Sequence, residues 1–169
     1  MDLVAVYNRT VAKAEKAAEK FGAPRVYADP EELLQKEKLD FIDIITEVPA
    51  HAPLVYLAAK YKVATICQKP MAPDYETAQQ MVATCKEAGI PFFVHENYRW
   101  QAPVRELKKV IDQGHIGRPF RGRFQFLHAL EPFVWENQPL LKSLKRLIVA
   151  DQGSHQLDAG GVVAQGRLE

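Results

Sequence analysis

The chain has 169 residues, 47% of them hydrophobic and 25% charged, which matches a globular domain and excludes a disordered or fibrous one. Its 22 lysines and arginines balance 21 aspartates and glutamates to a formal net charge of +1, so no basic field directs it to nucleic acid or to an anionic membrane. No window reaches the roughly 18 consecutive apolar residues of a membrane span, MDLVAVYNRT holds no secretory signal, and Cys67 and Cys85 make no disulfide framework; together these point to a cytoplasmic protein.

Leu3–Tyr7 is a short apolar run and reads as a buried strand. Thr10 is an N-cap for a helix carrying Ala14, Ala17, Ala18 and Phe21, and Gly22 sits where a C-cap glycine belongs. Asp29 and Pro30 pair an N-cap with a first-turn proline and open a short helix through Leu34. Residues 41–45 form a second buried strand, and Leu54, Val55, Leu57, Ala58 and Tyr61 mark a helix after Pro49. Val63–Cys67 is a third strand, ended by Gln68-Lys69-Pro70. Asp74 caps a helix with Ala78, Met81, Val82 and Cys85 on its apolar face, closed by Gly89 and Pro91. Residues 92–94 are a fourth strand, and Val104, Leu107, Val110 and Ile111 mark a helix stopped at Gly114.

Strands alternating with helices of this length build βαβ units, hence a parallel sheet with helices on its faces. In such a sheet the ligand crevice lies beyond the carboxyl ends of the strands. Asn8-Arg9, Thr46 to His51, Gln68-Lys69-Pro70 and His95 to Trp100 all follow strands. After Gly117 the texture changes: Phe120, Gly122, Phe124 and Phe126 alternate with Arg121, Arg123 and Gln125, which argues a half-exposed antiparallel strand. A domain boundary is therefore placed near Gly117, between residues 1–117 and 118–169.

Several residues are suited to chemistry. Lys69, at a strand end, can act as an acid or base or polarise a substrate oxygen; taken alone, a solvated loop lysine is the favoured reading, since exposed lysine is the norm. Asp151 and His155 are four residues apart and share a face if they lie on a helix, with Asp158 three further on. A carboxylate beside an imidazole fixes its tautomer and raises its basicity, although Asp151 can also be a simple N-cap. The same spacing provides two metal ligands but no third, so no metal site is expected. His95, Tyr98, Arg99 and Trp100 are either pocket lining or the core of the next helix, and Cys67 reads as a small buried residue.

Taken in order, Asn8-Arg9, then Thr46, Pro49 and His51, then Gln68-Lys69-Pro70, then Asp151 and His155 resemble the motifs of the GFO/IDH/MocA family of NAD(P)-dependent oxidoreductases. The phrases ATICQKPMAPDYETA, FFVHENYRW and DQGSHQLD look like a sugar- or polyol-related branch, and the likeness spans residues 3 to about 158. It implies a Rossmann-like dinucleotide-binding domain over residues 1–117, followed by the start of an α+β domain with an open antiparallel sheet over 118–169. It implies hydride transfer between nicotinamide and a carbinol carbon of a sugar, cyclitol or related polyol, and a homo-oligomer formed through the second-domain sheet. In this reading Lys69, Asp151 and His155 are catalytic. Asn8, Arg9, Thr46, Pro49, His51, Lys69 and Pro70 hold the cofactor, and Asn97, Arg99, Trp100 and Asp158 hold the substrate. Arg9 beside an uncharged Asn8 favours NADP over NAD, since no carboxylate repels a 2′-phosphate.

The sequence departs from the family pattern in three places. Gln68 stands where the family has glutamate. The family's first strand and glycine-rich turn are expected to be missing, and the tail Ala159–Glu169 does not read as the apolar helix the family places there. On that expectation the isolated chain binds dinucleotide poorly and is weak or inactive; the alternatives are a non-catalytic nucleotide- or sugar-sensing module of the same fold, or an inactive fragment.

Overall fold

The computed structural model describes residues 1–125, 127, 136 and 152–165. They form two compact units, Met1–His95 and Glu96–Glu169. In chain order the elements are β1 (Ala5–Tyr7), α1 (Val11–Phe21), β2 (Arg25–Tyr27), α2 (Pro30–Lys36), β3 (Phe41–Ile44), α3 (Val48–Lys60), β4 (Ala64–Cys67), α4 (Tyr75–Ala88), β5 (Phe92–Val94), a 3-10 turn (Tyr98–Trp100), α5 (Ala102–Asp112) and α6 (Gly153–Gln165).

The helix ends follow their local chemistry. The Asp29 carboxylate accepts from the Glu31 amide at 2.9 Å, and the Asp74 carboxylate accepts from the Thr77 amide at 2.8 Å. Gly22 and Gly89 close α1 and α4 at φ of 72° and 71°, a left-handed conformation that costs a Cβ-bearing residue about 1 kcal/mol or more. Thr10 occupies the N-cap position of α1, but its side chain makes no cap bond; the turn is closed instead by Asn8 Oδ1, which accepts from the Thr10 amide at 2.9 Å.

All strand pairings in the first unit are parallel: β1 with β2, and β3–β4–β5 in that order. Ile44 on β3 and Cys67 on β4 share a core with Val55 of α3 and with Met81 and Cys85 of α4. Val55 and Met81 are fully buried, each contributing roughly 1.5–3 kcal/mol. A second core joins the two sheets. Leu33 and Leu34 of α2, with Val63, pack against Ala5 and Tyr7 of β1, Tyr27 of β2 and Ile42 of β3. α2 thus packs against both sheets, and in parallel folds of this kind ligands bind beyond the carboxyl ends of the strands.

The second unit differs from the sequence expectation in two respects. In it the Tyr98–Trp100 turn, α5 and α6 pack together. The antiparallel strand expected from Phe120 does not form through Gln125. Instead the Phe124 ring lies over Gly160 of α6, about 3.3 Å from where a Cβ would stand. The described residues therefore supply no sheet for the expected oligomer contact; Phe126 lies outside them. Finally, the tail is helical to Gln165 despite Gly160 and Gly161, because His155, Ala159 and Val162 recur at helical spacing and are buried. Among the described residues no helix is long and apolar enough to cross a membrane.

Candidate active site

In the first unit the sequence-predicted residues stand at the carboxyl ends of the strands. Asn8 and Arg9 follow β1, with Arg9 exposed. Thr46 follows β3 and is exposed, and Pro49 lies in the first turn of α3. Beyond β4, the Gln68 amide donates to the Ile44 carbonyl at 3.0 Å, extending the ladder. The Gln68 side-chain oxygen accepts from the Lys69 amide at 2.9 Å. Lys69 is half-buried, and the Lys69–Pro70 peptide bond is cis.

His51 lies within α3. It is fully buried, with Nδ1 3.2 Å from the Met71 carbonyl and Nε2 3.0 Å from the Thr46 carbonyl. Its ring thus ties the loop after β3 to the loop after β4, the loop that carries Lys69. Beside them, His95 Nε2 lies 3.8 Å from Asp43 Oδ1. Burial, and secondarily the Asp43 charge, push the Cys67 thiol up to about 12, so Cys67 is an inert core residue.

The second unit holds a separate constellation built from the turn and α6. His155 Nδ1 meets Glu96 Oε1 at 2.5 Å, with the two side chains 6% and 11% exposed. The same Glu96 oxygen accepts from the Tyr98 amide at 3.1 Å. The Tyr98 ring stacks on the His155 ring, with centroids 4.1 Å apart and planes inclined by 12°. Arg99 and Asp158 form a two-pronged pair, Nε donating to Oδ2 at 2.9 Å and Nη2 to Oδ1. That hydrogen bonding holds the guanidinium pKa above its usual value. Asn97 and Trp100 are exposed on the same turn.

Asp151 lies outside the described residues. The carboxylate the structure sets on His155 is Glu96, 59 residues away in sequence. Sequence spacing offered Asp151 for that role and passed over Glu96, whose only local signal is that it follows a strand end. Among the described residues no group of three His, Cys, Asp or Glu side chains is arranged to hold a metal.

Parallel strands with helical crossovers and polar strand ends define a nucleotide-binding α/β fold of the Rossmann type. The family model for GFO_IDH_MocA, described as an oxidoreductase family with an NAD-binding Rossmann fold, matches residues 1–96, and the chain belongs to that family. It is 42% identical over 156 residues to the D-apiose dehydrogenase of Rhizobium rhizogenes, covering 92% of this chain and 45% of that protein. Among solved structures, an oxidoreductase from Agrobacterium radiobacter in complex with NAD+, L-tartaric acid and magnesium superposes with a TM-score of 0.90 at 41% identity, over 95% of this chain and 46% of that one. An NAD-binding oxidoreductase from Klebsiella pneumoniae gives a TM-score of 0.81 at 28% identity, over 96% and 44% respectively. The chain spans about half the length of the curated relatives it matches.

Proposed function

We propose that this chain carries part of an oxidoreductase that moves a hydride between the nicotinamide of NAD(P) and a carbinol carbon of a sugar, cyclitol or related polyol, with D-apiose the first substrate to test. The buried Glu96–His155 pair, in a chain of an NAD-binding family, carries this reading. A hydride acceptor needs a partner group that takes the hydroxyl proton, and an imidazole with one nitrogen fixed by a carboxylate suits that task.

The donor set of the strand ends fits a dinucleotide. Asn8 spends Oδ1 on the Thr10 amide and so offers a ligand its amide N–H2, beside the exposed Arg9. The absence of a carboxylate from this pair favours NADP. Thr46, Pro49 and Pro70 would line the nicotinamide end, with His51 setting the loops behind them. When bound, the cofactor supplies the hydride acceptor. Lys69 would polarise the reacting oxygen, and His155 Nε2 would take its proton as the C–H bond breaks. Asp151 would support His155 from within the D-x-x-x-H motif. Asn97, Arg99, Trp100 and Asp158 would hold substrate hydroxyls; Arg99 and Asp158 do so best as a pre-formed pair, because each fixes the other's geometry.

Absorbance at 340 nm with D-apiose or a cyclitol and NAD+ or NADP+ tests the reading, in a protein that carries this chain in place of the aligned segment of the Rhizobium rhizogenes D-apiose dehydrogenase. Sugar-dependent reduction that is lost in Lys69→Ala and in His155→Ala is expected. Reduction that survives both substitutions would overturn the assigned roles.

A further inference from the structure

We infer that Glu96 is the positioning residue that fixes the tautomer and the ring orientation of His155, so that Nδ1 carries the proton and the Nε2 lone pair is left for chemistry. An ionised carboxylate only accepts, so the 2.5 Å contact from Glu96 Oε1 to Nδ1 requires the hydrogen on Nδ1. In the neutral ring Nε2 then holds the lone pair. The His155 side chain is buried and that of Glu96 only 11% exposed, and a charge-assisted bond is stronger where water competes little.

Two further contacts make this a fixed arrangement. The Tyr98 amide donates to the same Glu96 oxygen at 3.1 Å, so the turn itself sets where the carboxylate stands. The Tyr98 ring lies flat on the imidazole, 4.1 Å between centroids, which defines the ring plane. A flip of the imidazole within that plane would take Nδ1 away from Glu96, so the two contacts together select one orientation. The charged groups around the pair are Arg99 and Asp158, which bind each other. Because the Arg99–Asp158 pair joins the same turn to the same helix, α6 keeps an anchor when Glu96 is changed. Glu96 can therefore be altered without undocking His155.

The inference rests on the proposal that His155 carries the proton, but its first test does not. Ring-15N-histidine labelling of the chain, with His155→Gln used to identify the resonance, reads the tautomer directly by NMR. Wild type is expected to show the Nδ1–H form at His155. Glu96→Ala is expected to lose that preference and populate the Nε2–H form, while Glu96→Gln, which keeps the volume and an acceptor oxygen, retains part of it. Far-UV circular dichroism monitors folding, and Glu96→Gln serves where Glu96→Ala does not fold. An Nε2–H form in wild type, or a tautomer unchanged in the folded variants, would overturn the inference. So would a tautomer that follows Asp151→Asn and ignores Glu96.

The second readout is turnover of this chain grafted into the D-apiose dehydrogenase it resembles, where Glu96→Ala should lower kcat about a hundredfold or more with KM little changed, in the range of a lost proton-transfer group. A normal tautomer pattern together with turnover indifferent to His155 would remove the proton-carrier role and leave the positioning role of Glu96 standing. Turnover that needs His155 but ignores Glu96 would do the reverse.

Discussion

Removing the His51 ring should loosen the two loops that frame Lys69. His51 is fully buried, and its ring nitrogens lie 3.2 Å and 3.0 Å from the Met71 and Thr46 carbonyls. His51→Ala strips both contacts and leaves a void. An unsatisfied buried acceptor costs about 1–3 kcal/mol, and a large-to-small change in a core costs about 2–5 kcal/mol. The two are not additive where the loops relax, so a loss of about 3–5 kcal/mol is expected, a large part of the roughly 5–15 kcal/mol that a domain commands. His51→Phe keeps the bulk and removes only the polar contacts, and should cost about 1–3 kcal/mol. Urea unfolding followed by circular dichroism measures both losses. Hydrogen exchange over residues 44–48 and 68–73 should quicken in both variants before global unfolding. A His51→Ala protein within 0.5 kcal/mol of wild type, with unchanged exchange in those segments, would refute the assigned tie.

Further outcomes follow from the same structure. In a full-length protein carrying this chain, Lys69→Ala should cut kcat by about a hundredfold or more while NADPH affinity, read by isothermal titration, changes less than about threefold; an equal loss of affinity would make the lysine a cofactor anchor. Cys67 should resist iodoacetamide at pH 8 until urea unfolds the chain, because burial raises its thiol to about 12. Since the unfolded thiol titrates near about 8.5, this group's contribution to stability is complete below that pH and is lost as pH rises towards 12. Labelling at the unfolded rate would contradict the assignment. Glu37 behaves in the opposite sense. The Tyr27 hydroxyl, donating at 2.5 Å, and Arg25 lower its carboxyl pKa, so its contribution is held above about pH 4.3 and lost as pH falls through the folded value. Urea midpoints should therefore fall below about pH 4 in wild type and depend less on pH in Glu37→Gln.

Helix ends and most strands were legible because their determinants are local. Asp29-Pro30 and Asp74 cap the helices they open, and Gly22 and Gly89 adopt the left-handed conformation that ends one. β2 escaped notice: it is three residues long, begins with the exposed Arg25 and has no apolar run. The alternation from Phe120 was misleading because a period of two defines a face and not a partner; Phe124 finds Gly160 on a helix where a neighbouring strand was expected. The site was legible only where it sits at strand ends, as with Lys69. The Glu96–His155 and Arg99–Asp158 contacts each span 59 positions, beyond any helical spacing rule, and so the local spacing pointed to Asp151. Nothing in the neighbours of His51 signals that both its ring nitrogens meet backbone carbonyls.

A chimera would show whether Lys69 and His155 of this chain carry the hydride-transfer chemistry. The aligned 156-residue segment of the Rhizobium rhizogenes D-apiose dehydrogenase would be replaced by the corresponding residues of this chain and the product assayed for NAD(P)+ reduction by D-apiose. The product is expected to fold, to reduce the cofactor and to lose that activity in Lys69→Ala and in His155→Ala. A folded, cofactor-binding chimera that fails to reduce it, or one whose activity survives both substitutions, would contradict the roles of Lys69 and His155.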